Sequence, residues 1–208
     1  MKSLAVVVCV GLVGAAVVSA QETPKFAFSI GGGFTQGVGN TGAHLDTGWN
    51  VRGGVGFNFS SHVGAMLNVG YDHMGINSTT LSNIGVPGGD VQVFSATIDP
   101  IVHLNPHGHV DVYVTGGGGL FHRYQEFTQP SVAVTPAFDP FFGFYPATFG
   151  VNQILASYSV NKPGVDAGVG IAFGSIAHGK FFAEARYNHI YMANSHMDYL
   201  PVTFGFRW

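Results

Sequence analysis

The residues able to bind or react fall into a few groups. Ten histidines include His103, His107 and His109, whose spacing raises a metal reading. They sit at a short turn that reads as unsupported by cysteine or carboxylate, and structural zinc sites draw on such ligands together. Ser195, His196 and Asp198 supply the residue types of a nucleophile triad. Neighbours on an extended chain point opposite ways, so Ser195 and His196 are poorly placed as nucleophile and base. The stretch "GVGNTG" (Gly37, Gly39, Gly42) has dinucleotide-loop spacing, but that loop must open a helix within a βαβ unit. Another strand follows here, so a flexible loop is expected. No catalytic, cofactor or metal residue is assigned, and no enzyme activity is expected. What remains is a scatter of charges: Arg52, Asp72, Asp99, Asp166, Glu184, Arg186 and Arg207.

The elements carrying those charges are legible from alternation. "WNVRGGVGFNF" places Trp49, Val51, Val55, Phe57 and Phe59 on one face, with Asn50, Arg52 and Asn58 on the other. "VGAMLNVGYDH" separates Val63, Leu67, Val69 and Tyr71 from Asn68 and Asp72. "VFSATIDPIV" sets Phe94 and Ile98 against Ser95, Thr97 and Asp99. "VDAGVGIAF" and "FFAEARYNHIY" oppose Val165, Val169 and Tyr187 to Asp166, Glu184 and Arg186. "FAFSIGGGF", "VDVYVTGGGGLF" and "YLPVTFGFRW" complete the set. Alternation of this length means strands with one apolar face. Runs of about 9–12 residues suit tilted strands crossing a bilayer, not average soluble strands.

Composition agrees. The chain of 208 residues is 46% hydrophobic but only 9% charged, with 31 glycines. Soluble domains carry about 25% charge. Its only long apolar run is "MKSLAVVVCVGLVGAAVVSA", with Val18 and Ala20 placed as a small-residue cleavage site. Residues 1–20 therefore read as a cleaved signal peptide and 21–208 as one domain. A membrane anchor is the alternative; Cys9 follows Val8 and lies too early for a lipoprotein. Without Lys2 the chain holds 7 basic and 11 acidic residues, formally −4, which argues against nucleic acid as a partner.

Connection lengths give the topology. Three connections are short ("SSH", "NPHGH", "GSIAHG"). Four are longer, at roughly 35–47, 75–90, 125–158 and 192–199. Short and long alternate around an even strand count, the pattern of an up-and-down transmembrane barrel. The fold class expected is all-β, an eight-stranded antiparallel barrel preceded by the signal peptide. A soluble barrel of lipocalin type would put its apolar face inside; here the strand charges share a face with Gly, Asn and Ser.

The whole mature chain resembles the OmpA-like outer-membrane β-barrel family. "FFAEARYNHIY", a short loop and "YLPVTFGFRW" are similar to that family's closing hairpin. The resemblance implies that the terminal strand with its final aromatic (Phe204, Phe206, Trp208) is read by the outer-membrane assembly machinery. It implies export through the periplasm into a bacterial outer membrane, with membrane lipid as the surrounding partner. The peptidoglycan-binding domain carried by some relatives is not expected after Trp208.

Two sets of residues are candidates for function. The inward charges come from facing walls of a space just wide enough for side chains, so a paired network is expected to plug it, with Glu184 opposite Arg207 across neighbouring strands. "TPAFDPFFGFYPATFG" lies in the 125–158 connection, and loops that long are usually functional or disordered. Its Phe138, Phe141, Phe142, Phe144, Tyr145 and Phe149 either extend the barrel wall, fold over the mouth, or form an outer patch for a partner or hydrophobic ligand. The role expected is structural or surface interaction by a monomer without cofactor. The alternatives are a narrow channel or hydrophobic passage, and a lipid-modifying enzyme.

Overall fold

The computed structural model describes residues 25–106, 108–175, 179–193 and 195–208. The expected signal peptide, Gln21 as the expected first residue after its cleavage, His107 and the middle of the "GSIAHG" turn lie outside the described residues. Eight strands form among the described residues: β1 (Phe26–Gly37), β2 (Gly48–Asn58), β3 (Val63–Gly75), β4 (Gly88–His103), β5 (Val110–Asp139), β6 (Gly143–Ser175), β7 (Gly179–Tyr191) and β8 (His196–Arg207). Each pairs antiparallel with the next, and β8 pairs with β1, so the ring closes. Closure leaves no unpaired sheet edge in the bilayer, where each unsatisfied backbone group costs several kcal/mol. The last ladder bonds are Phe28 N–H to Trp208 O at 2.8 Å and Trp208 N–H to Phe28 O at 3.0 Å.

Period-2 alternation is realised with the apolar face outward. Ile30, Trp49, Val69, Phe94, Ile98, Val169 and Phe204 are exposed, while Asn50, Arg52, Asp72, Asp99, Asp166, Glu184 and Arg186 are buried. A chain folded this way needs lipid around it. Rings cluster at two levels. Phe173, Phe181, Phe206, Trp208 and Phe28 form a run of neighbours with centroids 5.2–6.2 Å apart near the short turns. Trp49, Tyr71 and Phe94 form a second run at 4.6–5.2 Å nearer the long connections. Two aromatic girdles flanking an apolar band mark the membrane interfaces of such barrels.

The interior is layered, and not uniformly small and polar. Toward the long connections, Met74, Val91, Val93, Phe121, Ile190, Met197 and Tyr199 pack together inside the barrel with Leu45 and Ile76, and Leu81 covers them. At the opposite end Met66, Ile101, Tyr113, Ala172 and Phe182 form a second apolar cluster. Tyr113 fits because Gly170 on the neighbouring strand has no side chain: a Cβ there would lie 2.2 Å from Tyr113 Cζ. Replacing Gly170 with Val is expected to cost about 1–3 kcal/mol through overpacking. Urea unfolding of the refolded barrel in detergent checks this, and an unchanged midpoint would show that the ring moves aside freely.

The first two long connections hold short helices, α1 (Gly39–Gly42) and α2 (Ser78–Ile84). The "GVGNTG" stretch, expected as a flexible loop, holds a single helical turn over Gly39–Gly42 between β1 and β2. α2 follows local rules. Asn77 caps it by accepting from Thr80 N–H at 2.8 Å, and Gly85 ends it at φ +71°. The two connections dock on each other through Asn77 Nδ2 to Ala43 O at 2.6 Å and the Leu45–Ile76 bridge.

The 125–158 connection is a larger correction. It is not a loop: β5 runs on to Asp139 and β6 begins at Gly143, paired through to the tip. Neighbouring strands stop well below. β4 reaches only Thr128 of β5, and β7 reaches only Gly164 of β6. From Gln129 and Gln153 to the tip, β5 and β6 therefore pair only with each other, over roughly 36 Å at about 3.3 Å per residue. Two strands suffice because each satisfies the other's inner edge, while outer edges in water need no partner. Pro130, Pro136 and Pro146 lie in this free ribbon, where a missing N–H is tolerated and further strand addition is blocked.

Candidate functional site

Two features can act: the charged middle of the lumen and the free hairpin. In the lumen the hub is Arg186 on β7. Its Nη1 donates to Asp99 Oδ2 at 2.5 Å and to Asp166 Oδ1 at 3.0 Å, and its Nη2 and Nε donate to Glu184 Oε1 at 2.8 and 3.0 Å. One guanidinium thus ties β4, β6 and β7 together across the interior. Arginine suits the position because its planar fork offers five donors in fixed directions. Asp99 also accepts from Asn68 at 2.6 Å and Thr97 at 2.8 Å.

The other expected members are only partly joined. Arg207 Nη2 lies 4.0 Å from Glu184 Oε2, and its guanidinium covers the Tyr113 ring at 4.5 Å and the Phe182 ring at 5.3 Å. Glu184's close partner is therefore Arg186, on its own strand, and not Arg207. Asp72 accepts from Thr35 at 2.6 Å instead of meeting an arginine. Arg52 is buried, but no carboxylate lies within 4.0 Å of it among the described residues. Gly70 lies opposite Arg52 on the neighbouring strand; a Cβ there would lie 3.5 Å from the Arg52 guanidinium and 2.7 Å from Ser95 Oγ.

Asp111 is a buried charge absent from the expected set. It contacts His103 Nδ1 at 2.6 Å and Lys180 Nζ at 3.9 Å, beside a recess of about 90 Å³ at the short-turn end. The signal was present in "VDVYV", where Asp111 alternates with outward valines. The metal reading of His103, His107 and His109 took this turn to lack a carboxylate, and Asp111 supplies one. It holds His103 in a two-residue contact, and no group of three ligands forms among the described residues. His109 is exposed.

The Ser195–His196–Asp198 stretch does not assemble a triad. Ser195 Oγ donates to the His196 backbone carbonyl at 3.4 Å. The two imidazoles instead bracket Asp198, with His189 Nδ1 at 2.6 Å and His196 Nε2 at 3.3 Å.

The aromatic candidates gather at the hairpin tip. Phe138 and Phe144 pair across the ribbon with centroids 5.2 Å apart. Phe141 and Phe142 stand at the apex, 90% and 85% exposed. The turn is held by Asp139, whose Oδ1 accepts from Phe141 N–H at 2.7 Å and Phe142 N–H at 3.1 Å. Tyr145 and Phe149 fall on the opposite ribbon face from Phe144, because register pairs them with Ala137 and Ala133. Each ring left in water forgoes about 1.5–3 kcal/mol relative to a buried site.

Phe204, Phe206 and Trp208 all lie on the outward face of the closing strand. Phe206 pairs with Ile30, and Trp208 packs on Phe28 at 6.2 Å and Phe206 at 5.7 Å.

The same fold is present in known outer-membrane proteins. The crystal structure of Neisserial surface protein A is similar at 14% identity and a TM-score of 0.56, covering 88% of this chain and 96% of that one. A major outer membrane protein from Thermus thermophilus is similar at 13% identity and a TM-score of 0.57, covering 88% and 98%. No curated protein matches the sequence. The family model described as the outer membrane protein beta-barrel domain matches residues 5–208. A closed ring with lipid-facing apolar residues, two aromatic girdles and that match together show that the chain belongs to the outer membrane protein beta-barrel family and resides in the bacterial outer membrane.

Proposed function

We propose that this protein is a plugged outer-membrane barrel whose role is surface interaction, with the barrel as anchor and the free β5–β6 hairpin as contact element. The observation carrying the reading is the Arg186 cluster, which spans the interior between two apolar layers. An eight-stranded barrel encloses only enough space for side chains, and here those side chains are bonded across it. A barrel without a path for solutes has its surface left to work with, and the hairpin carries exposed phenylalanines at 138, 141, 142 and 144 beyond the last residues that β4 and β7 pair with.

The expected result in a planar lipid bilayer is insertion without steady ohmic conductance. Stable, voltage-independent channels of wild-type protein would overturn the plugged reading and favour the narrow-channel alternative. Conductance appearing only after Arg186→Gly would support the plug directly.

A further inference from the structure

We propose that the β5–β6 tip inserts into the surface of a lipid bilayer facing the one its barrel spans. The proposal rests on the reading of the hairpin as a contact element and names its partner. Three features of the tip point to lipid. First, its rings surround it. Phe138 and Phe144 lie on one ribbon face, Tyr145 and Phe149 on the other, and Phe141 and Phe142 at the apex. A folded partner seated on one face would leave the other rings in water, whereas a fluid apolar medium covers all sides at once.

Second, the tip asks nothing electrostatic of its partner. Between Phe127 and Val160 the only charged side chain is Asp139. Its carboxylate accepts from the backbone N–H groups of Phe141 and Phe142, at 2.7 and 3.1 Å, and so stiffens the turn that presents them. Aromatic rings are the side chains that favour the bilayer interface.

Third, the tip stands clear of its own membrane. The Trp49, Tyr71 and Phe94 girdle is level with His122 of β5. Phe138 lies roughly 50 Å further along the strand at about 3.3 Å per residue. The apolar surface at that height is unmatched by the lipid around the barrel.

The test uses the full protein in lipid nanodiscs, mixed with uncharged phosphatidylcholine vesicles and floated on a density gradient. Wild-type discs are expected to float with the vesicles. Discs carrying Phe141→Ser, Phe142→Ser and Phe144→Ser should lose this about ten-fold or more, since three apolar side chains leave the contact. Unaltered heat-dependent migration on gels confirms that the variant barrel is folded. If the triple variant does not fold, Phe142→Trp in a chain whose girdle tryptophans are replaced (Trp49→Phe, Trp208→Phe) decides: its emission should shift to the blue and be quenched by brominated lipid placed only in the vesicles. Quenching only by brominated lipid in the disc would mean that the hairpin folds back onto its own membrane, and would overturn the proposal. Wild-type discs that ignore vesicles but bind a protein-coated surface through the same phenylalanines would overturn the lipid assignment while leaving the contact element standing. Discs that bind neither surface would remove both.

Discussion

Arg186→Met is expected to destabilise the barrel by about 3–5 kcal/mol, the usual consequence of removing one partner from a buried ion cluster. The wild-type guanidinium answers three carboxylates, Asp99, Asp166 and Glu184, at 2.5–3.0 Å. Methionine fills similar space but leaves those acids crowded together. Among the described residues, the one other cation within 4.0 Å of these acids is Arg207, at 4.0 Å from Glu184. Glu184→Ala should cost less, because Arg186 keeps Asp99 and Asp166, and Arg207 keeps its two ring contacts. A variant combining Arg186→Met with Asp99→Asn, Asp166→Asn and Glu184→Gln should recover much of the loss, since all four charges of the cluster are removed together and none of the three acids is left without the cation it faced. Urea unfolding in detergent or vesicles gives the three midpoints. An Arg186→Met barrel within about 1 kcal/mol of wild type would show that the cluster contributes little.

Deleting Phe206–Trp208 is expected to abolish outer-membrane assembly in cells, leaving unfolded chain in the periplasm. The deletion removes the β8–β1 pairs at Ile30 and Ser29 and the Phe28–Trp208 backbone bonds. It also breaks the girdle, where Phe206 contacts Phe181 at 5.2 Å. Unpaired strand ends inside a bilayer would each cost several kcal/mol, so instability and loss of the assembly signal must be separated. Refolding into detergent without cellular machinery does this. If the truncated chain refolds there but fails in cells, the terminal aromatics act as a signal. If it fails in both, they act through seam closure. Truncated protein that still shows heat-dependent migration in purified outer membranes would overturn both roles.

The strands and their two faces were determined by the sequence alone. Alternation assigns a side regardless of which strand lies alongside, because a one-residue slip would turn every apolar side chain inward. Arg52, Asp72, Asp99, Asp166, Glu184 and Arg186 are buried for this reason, and Phe204 and Trp208 exposed. The even strand count followed from turn signals. The long hairpin was not legible. Its prolines, glycines and uneven alternation look like loop, because a free ribbon has no buried face to impose period two. Only pairing of β5 with β6 shows it as sheet. Lumen partners were equally hidden. Asp99 and Arg186 are 87 residues apart in the chain, and the ring must close before their walls face each other. The apolar outer layer is decided the same way: Met74, Val93, Phe121, Ile190 and Tyr199 come from five strands, and become one core only when curvature brings their inner faces into contact.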